Sequence, residues 1–194
     1  MSHTDSPVGL PSVTLLPLVT AEAIGVRIRE LGAQISADYR GLDLLLVGVL
    51  KGAFMFLADL MRSMDTGAEV DFLGCSSYGD ATTTSGVVKI THDLSTPVQG
   101  RHVLLVEDIV DTGLTARYLI DNLRTRGPAS LKLCTLLHKP SGARTAVPID
   151  YVGFTIPARF VIGYGLDLRG KFRGLPYVGF VKADGDGEKG SDHV

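Results

Sequence analysis

Hydrophobic residues follow two kinds of spacing pattern along this chain. Over residues 20–39 they recur every three or four positions, which predicts an amphipathic helix with Thr20 as its N-cap. Residues 44–50 form an uninterrupted apolar run, which is typical of a strand covered on both faces of a parallel sheet. A second helix is predicted over 53–64, after a Lys51-Gly52 turn. The order strand, glycine turn and helix favours an α/β domain.

The same pattern continues toward the carboxyl end of the chain. A helix is predicted over 114–126, where Gly127-Pro128 ends it. The polar stretch 78–85 contains no apolar period and is predicted to be a mobile lid between two strands. We expect one domain over 19–182, a flexible segment over 1–18 and a disordered tail over 183–194. Further strands are predicted over 70–77, 86–90, 102–106, 130–137 and 151–154.

Composition narrows the classes of protein to consider. The 194 residues carry a formal net charge of −2 without a basic stripe, so we expect no nucleic-acid partner. No apolar run reaches transmembrane length, and the uncharged stretch 8–21 is interrupted by Pro11 and Pro17, so neither a membrane nor a signal peptide is expected. The cysteines, Cys75 and Cys134, lack metal-ligand spacing. We therefore expect a cytoplasmic protein with idle thiols.

The most informative segment is 103–115, where an apolar strand leads into three carboxylates and then a helix. In α/β sheets, ligands bind at the carboxyl ends of strands, and a helix start offers N–H groups to phosphate. Carboxylates repel phosphate but suit ribose hydroxyls, a divalent metal or a proton. A helix cap would account for one carboxylate, but hardly for three. The segment predicts a ribose phosphate site formed by Glu107, Asp108, Asp111, Thr112, Gly113, Leu114 and Thr115.

Residues 107–115 resemble the phosphoribosyl pyrophosphate signature of type I phosphoribosyltransferases. Further segments, over 49–54, 70–72, 76–79, 136–140 and 160–167, resemble hypoxanthine (or hypoxanthine-guanine) phosphoribosyltransferases. The resemblance spans about 21–181 and implies a central, mainly parallel sheet flanked by helices. It also implies a flexible lid loop and a small hood built from the chain ends, mainly about 151–182.

The resemblance also implies roles for individual residues. Asp111 would act near the purine N7 as a proton acceptor or hydrogen-bond partner, and Ser77 and Tyr78 would begin the lid. Glu107 and Asp108 would hold the ribose. The pyrophosphate would meet Lys51, Gly52 and Arg173; the base would meet Lys139, Phe160, Val161 and Asp167; and Mg²⁺ would be held by Asp167, Glu107 and Asp108. The implied activity is purine salvage by a homodimer or homotetramer that uses phosphoribosyl pyrophosphate and a 6-oxopurine.

Three positions depart from the pattern, and some alternatives stay open. Leu114 stands where some members carry a basic residue, and His138 and Arg159 stand where acidic residues are commoner. The last two leave the choice among hypoxanthine, guanine and xanthine open. Other possibilities are a transferase for a different base and a regulatory module of this fold that binds RNA. A Rossmann-type nucleotide binder is disfavoured because no GxGxxG motif follows the first strand.

Overall fold

A computed structural model describes residues 15–78 and 87–181, except for the side chains of residues 77, 78 and 87. Helices and strands alternate over most of this range, as the hydrophobic pattern predicts. The helices are α1 (Ala21–Asp38), α2 (Phe54–Ser63) and α3 (Leu114–Arg124). The strands are β1 (Leu15–Val19), β2 (Leu44–Leu50), β3 (Glu69–Tyr78), β4 (Val87–His92), β5 (His102–Val110), β6 (Ser130–His138), β7 (Tyr151–Thr155), β8 (Val161–Ile162) and β9 (Val178–Val181).

The central sheet has six strands in the order β4-β3-β2-β5-β6-β7. Strands β3, β2, β5, β6 and β7 run parallel, and β4 is an antiparallel edge strand. The centre of the sheet is therefore buried on both faces, which explains the continuous apolar sequence of β2 and β5. The α/β class and the mainly parallel sheet predicted from the sequence are confirmed.

The helices cover the two faces of this sheet. One face packs against α1 and α2, with Leu46 and Leu104 in the contact, and the other packs against α3, with Leu45 and Leu105. The N-cap prediction for α1 also holds, because Oγ1 of Thr20 accepts a hydrogen bond of 3.2 Å from the N–H of Ala23. No helix in the described part of the chain is long and apolar enough to cross a membrane.

A second, three-stranded sheet in the order β1-β9-β8 forms the hood. Two boundaries differ from the sequence predictions. Strand β1 pairs antiparallel with β9, so residues 15–18 belong to this sheet and not to a separate N-terminal segment. Strand β7 pairs with β6 in the central sheet, so the hood begins after residue 155 and not at 151.

Strand β5 is longer than predicted. It continues through Val110 because Ile109 and Val110 still pair with β6. Glu107 and Asp108 consequently lie inside the strand and not in the turn after it. Their polar side chains made the segment look like a loop, although its backbone completes the parallel ladder.

Candidate active site

The turn between β5 and α3 is a backbone cradle at the carboxyl end of the sheet. The carbonyl of Thr112 accepts hydrogen bonds from the N–H groups of Arg144 and Thr145, at 3.0 and 3.1 Å. Gly113 adopts φ +79°, and a Cβ there would lie 2.4 Å from the carbonyl oxygen of Thr145. No side chain caps the start of α3, where Gly113 is the N-cap. The first-turn N–H groups, together with Thr115 in that turn, therefore suit a phosphate.

Asp111 and Lys139 form an ion pair between the ends of β5 and β6. Nζ of Lys139 lies 3.1 Å from Oδ2 of Asp111, and the lysine side chain is 9% exposed against 46% for the aspartate. The N–H of Lys139 also donates to the carbonyl of Val110, at 2.9 Å. The backbone of Gly142 packs closely against Asp111, because a Cβ on Gly142 would lie 2.0 Å from Oδ1 of Asp111. A donor and an acceptor thus lie side by side at the open edge of the site.

Glu107 and Asp108 are adjacent carboxylates on β5. Burial and the charge of Asp108 raise the pKa of Glu107 well above its usual range. Burial also raises the pKa of Asp108 to about 6, although its hydrogen bond from the N–H of Ile109 and the charge of Arg173 oppose the shift. Behind them, burial and the two carboxylates raise the pKa of the Cys75 thiol to about 11. Above about pH 6, the ionised Asp108 therefore carries a negative charge that burial makes unfavourable and that a ligand with hydroxyl donors would stabilise.

The Lys51-Gly52 loop follows β2, with a cis peptide bond between Leu50 and Lys51. Gly52 leaves room for Asp108, because a Cβ at Gly52 would lie 1.6 Å from Oδ2 of Asp108. A side chain at this position would displace the carboxylate. The loop therefore brings the exposed lysine next to the acidic strand.

A loop over residues 163–173, which we call the hood loop, covers the carboxyl end of the central sheet. Nη2 of Arg173 pairs with Oδ1 of Asp167 at 2.6 Å, and the N–H of Gly170 donates to Oδ2 of Asp167 at 2.6 Å. Charge from both Arg173 and Asp167 acts on the pKa of Asp108, in opposite directions. The residues expected at the pyrophosphate and the metal therefore converge from three separate segments of the chain.

Residues 159–161 enter β8 and bring an aromatic ring to the surface. Phe160 is 60% exposed, whereas Val161 is buried. The guanidinium of Arg159 lies 4.6 Å from the ring centre of Phe180, so this departure from the family pattern packs on the hood. The carbonyl of His138, the other departure, accepts from the N–H of Ile156 at 2.9 Å. An exposed ring is available to stack on a flat ligand.

The remaining predicted positions have simpler surroundings. Leu114 is the first residue of α3, and its N–H donates a long hydrogen bond of 3.4 Å to Oγ1 of Thr112. Its side chain is apolar, so Leu114 can contribute only its backbone to the cradle. Ser77 and Tyr78 end β3, and their side chains lie outside the described part of the chain, as do residues 79–86, which include most of the lid predicted over 78–85.

Magnesium is the metal expected from the sequence. The carboxylates present here fit a Mg²⁺ ion that is coordinated jointly by the protein and the substrate. In residues 15–78 and 87–181, no three His, Cys, Asp or Glu side chains form a ready metal cage. Magnesium usually takes one or two carboxylates together with substrate phosphates and water. Asp167 and Asp108 suit that arrangement, whereas the more deeply buried Glu107 suits it less.

Two contacts at the site were not predicted from the sequence. One is the close approach of Gly142 to Asp111, and the other is a hydrogen bond from the phenol of Tyr164 on the hood loop to Asp59 on α2. Small residues in the Lys-Pro-Ser-Gly segment are the only local signal for the first. Nothing local signals the second, because its partners lie 105 residues apart.

Comparison with known proteins decides the family. A model of the phosphoribosyl transferase domain matches residues 18–169. The chain belongs to the phosphoribosyltransferase family. The recognition and the type I fold expected from the sequence are thereby confirmed.

Individual relatives of this phosphoribosyltransferase point to one branch of the family. The hypoxanthine-guanine phosphoribosyltransferase of Bacillus subtilis is 48% identical over 165 residues, which cover 85% of this chain and 92% of the relative. A crystal structure of a hypoxanthine phosphoribosyltransferase from Staphylococcus aureus superposes with a TM-score of 0.83 at 42% identity, covering 86% of this chain and 91% of the other.

A third relative is a much longer protein. The bifunctional protein TilS/HprT of Listeria innocua is 48% identical over 167 residues, which cover 86% of this chain but only 26% of the relative. This phosphoribosyltransferase therefore spans about a quarter of the length of that relative and nearly all of the Bacillus enzyme.

Proposed function

We propose that this phosphoribosyltransferase transfers the 5-phosphoribosyl group of phosphoribosyl pyrophosphate to hypoxanthine or guanine. The products are IMP or GMP and pyrophosphate, which is a purine salvage reaction. The single observation that carries the proposal is the Asp111–Lys139 pair, with its atoms 3.1 Å apart, beside the open cradle at the start of α3. The relatives in the comparison act on the same class of base by name.

The Asp111–Lys139 pair matches one edge of a 6-oxopurine. That edge carries N7 and O6 next to each other. The carboxylate of Asp111 accepts from a protonated N7, and the ammonium of Lys139 donates to O6. Adenine would instead present a 6-amino donor to the lysine donor and leave buried groups unpaired, which strongly reduces transition-state binding. Phe160, with its exposed ring, is available to stack on the base.

The ribose phosphate belongs beside this pair. The 5-phosphate binds the N–H groups and hydroxyls of the turn at residues 112–115, where no side-chain cap competes. The ribose hydroxyls donate to Glu107 and Asp108, and these hydrogen bonds offset the burial that raises the pKa values of both carboxyl groups. This arrangement fixes the sugar with its C1 toward the base.

The reaction forms a bond between C1 and N9 of the purine and breaks the bond between C1 and pyrophosphate. The N7 proton moves to Asp111, and the leaving electron pair stays on pyrophosphate. Lys51 and Arg173 stabilise that developing negative charge. Magnesium, which Asp167 and Asp108 would hold, supplies further neutralisation of the pyrophosphate when it is bound. The lid that begins at Ser77 and Tyr78 keeps water from the activated sugar.

The test is a panel of initial rates with phosphoribosyl pyrophosphate, Mg²⁺ and each of hypoxanthine, guanine, xanthine, adenine and uracil. We expect hypoxanthine and guanine to exceed adenine by about 10⁴-fold in kcat/KM. We expect Asp111→Asn to lower kcat for hypoxanthine by about 10²–10⁴-fold, the range for loss of a proton-transfer group.

Asp121→Asn is the matched control, because Asp121 lies on α3 and pairs with Arg117 at the surface. It should retain the kinetics of the parent protein. Failure of folded protein to turn over any base would reject the proposed reaction, and equal rates with adenine would reject the assigned role of Lys139.

Two broader expectations belong to the same proposal. A reducing, cytoplasmic setting is supported by the two cysteines, which are free thiols. A homo-oligomer is supported by large apolar side chains that α1 and α2 leave more than a third exposed, namely Val26, Phe54 and Met61.

A further inference from the structure

One hydrogen bond ties the hood to the core next to the pyrophosphate-binding residues. It runs from the phenol of Tyr164, on the hood loop, to Oδ2 of Asp59 on α2. Tyr164 is 5% exposed, and Asp59 also pairs with Arg62 one helical turn further along α2. Helix α2 begins directly after the Lys51-Gly52 loop. The hydrogen bond therefore links the hood loop to α2, the helix that follows the Lys51-Gly52 loop.

The backbone on the hood side of this link is tightly constrained. Tyr164 adopts φ +49°, a region that non-glycine residues enter rarely and keep only when their surroundings hold them there. The next residue, Gly165, has φ +99°, and a Cβ on it would lie 2.0 Å from the carbonyl oxygen of Gly52. The two loops thus meet backbone to backbone, one residue away from the phenol.

Gly165 connects Tyr164 to the charged residues of the loop through two hydrogen bonds to Arg173. Its carbonyl accepts from Nη1 of Arg173 at 2.6 Å, and its N–H donates to the carbonyl of Arg173 at 2.9 Å. Arg173 in turn pairs with Asp167 at 2.6 Å. A shift of Tyr164 would therefore move the arginine and the aspartate together, relative to Lys51.

We propose that Tyr164 is a positioning residue for phosphoribosyl pyrophosphate: its phenol, held by Asp59, sets Arg173 and Asp167 against the Lys51-Gly52 loop. The proposal rests on the function proposed above, because it assigns those residues to the pyrophosphate end of the substrate. Burial and the nearby Asp59 raise the pKa of Tyr164 above its usual range, so the phenol stays protonated and donates throughout the working pH range.

The effect should be larger for one substrate than for the other. Asp111 and Lys139, at the base, lie at the ends of β5 and β6 and are fixed by their own ion pair and by the close approach of Gly142. A misplaced hood loop should therefore weaken phosphoribosyl pyrophosphate more than it weakens the base. General loss of stability would not produce that split.

The experiment compares Tyr164→Phe with Tyr151→Phe. Tyr151 is also buried and also donates to a helical carboxylate, Asp38 on α1, at 2.6 Å, but it begins β7 at the opposite end of the sheet. Both variants lose one phenol–carboxylate hydrogen bond. We expect Tyr164→Phe to raise the KM for phosphoribosyl pyrophosphate about tenfold, because Arg173 and Asp167 lose a contact that holds them in place. The KM for hypoxanthine should change much less, and Tyr151→Phe should leave both KM values unchanged.

A second pair of variants tests the acceptor. Asp59→Ala removes the partner of the phenol and should reproduce the tenfold rise. Arg62→Ala removes only the ion pair of Asp59 and should not. This pair decides the question even if Tyr164→Phe fails to fold. A KM for phosphoribosyl pyrophosphate that stays at the parent value in Asp59→Ala, or that rises equally in Tyr151→Phe or Arg62→Ala, would overturn the proposal.

Binding measurements separate this proposal from the proposed function. The dissociation constant of Mg²⁺-phosphoribosyl pyrophosphate is measured by isothermal titration calorimetry without any base. If the parent protein turns over no base, the proposed reaction fails, yet the ratio of dissociation constants among the variants still decides the role of Tyr164.

Discussion

The two ends of the central sheet treat charged side chains in opposite ways. At the amino end, Arg101 makes two hydrogen bonds to Asp43, at 2.7 and 2.9 Å, and one to Glu69 at 2.7 Å. At the carboxyl end, Asp111 and Asp167 also pair with cations, at 3.1 and 2.6 Å, but burial raises the pKa values of the adjacent carboxyl groups of Glu107 and Asp108. The amino end thus neutralises its charges within the fold, whereas the carboxyl end leaves two buried carboxyl groups for a ligand.

Residues other than glycine that have positive φ show the same division. Tyr164, Arg169 and Phe172 all lie in the hood loop that covers the carboxyl end, whereas positive φ angles at the amino end occur at glycines. Residues in such conformations tend to cluster at ligand sites because the surrounding fold holds them there. The constrained backbone and buried carboxyl groups of the carboxyl end thus lower the stability of the fold but form a surface complementary to phosphate, ribose and base. The ion pairs of the amino end stabilise the fold.

The first prediction that tests this comparison concerns Lys139. Lys139→Met keeps most of the length of the side chain but removes the donor to O6 and the partner of Asp111. We expect kcat/KM for hypoxanthine to fall about 10–100-fold, because a hydrogen bond from a charged donor is lost. We also expect the preference for hypoxanthine over adenine to shrink. Steady-state rates with both bases provide the measurement.

Lys132→Met is the matched control for that prediction. Lys132 lies on the same strand, β6, but toward its amino end, where Nζ is 3.3 Å from the phenol oxygen of Tyr151. It should keep the base preference of the parent protein. An unchanged preference in Lys139→Met would show that the ion pair at the carboxyl end has no role in base choice.

The sequence predicts the central sheet well and the hood poorly, for a physical reason. Strands β2, β5 and β6 are buried on both faces, so their apolar runs stand out without reference to any other part of the chain. Strand β1 gains its order only by pairing with β9, about 160 residues later, and such pairing leaves no local pattern. The end of β5 was missed because Glu107 and Asp108 are polar residues in a strand.

The site shows the same limit. The acidic strand and the helix start could be read from 103–115 because they are contiguous. The Asp111–Lys139 contact depends on β5 and β6 being neighbours, and the Gly52–Gly165 contact depends on how the hood closes. Roles at Lys51, Lys139 and Arg173 were available only through the resemblance, because a single lysine or arginine in a loop is an ordinary surface residue.

The second prediction concerns the stored charge of Asp108. Its pKa of about 6 lies above the usual value of an aspartate, so the folded state binds the proton more tightly than the unfolded state. Stability from this group is therefore present at low pH and is lost as the pH rises from about 4 to about 6. Without ligands, Asp108→Asn should be more stable than the parent protein at about pH 7, by on the order of 1–3 kcal/mol, and not at about pH 4.

Urea unfolding at both pH values measures this difference. Asp43→Asn is the control from the other end of the sheet, and it should lose stability at about pH 7, because Asp43 is paired with Arg101. In the same Asp108→Asn protein, the affinity for phosphoribosyl pyrophosphate should fall. A variant that is destabilised at about pH 7 would contradict the idea that the carboxyl end stores unfavourable charge.

The last prediction concerns the stability contributed by Arg101. It tests whether the two ends of the sheet are independent. Arg101→Met removes a guanidinium that is mostly buried, at 15% exposed, while Asp43 and Glu69 remain largely solvated. We expect a loss of about 1 kcal/mol in unfolding free energy with unchanged kcat and KM. Arg117→Met, which breaks an exposed pair with Asp121 on α3, should cost about 0.3–0.5 kcal/mol. A change of KM in Arg101→Met would show that the neutral end of the sheet supports the site through more than stability.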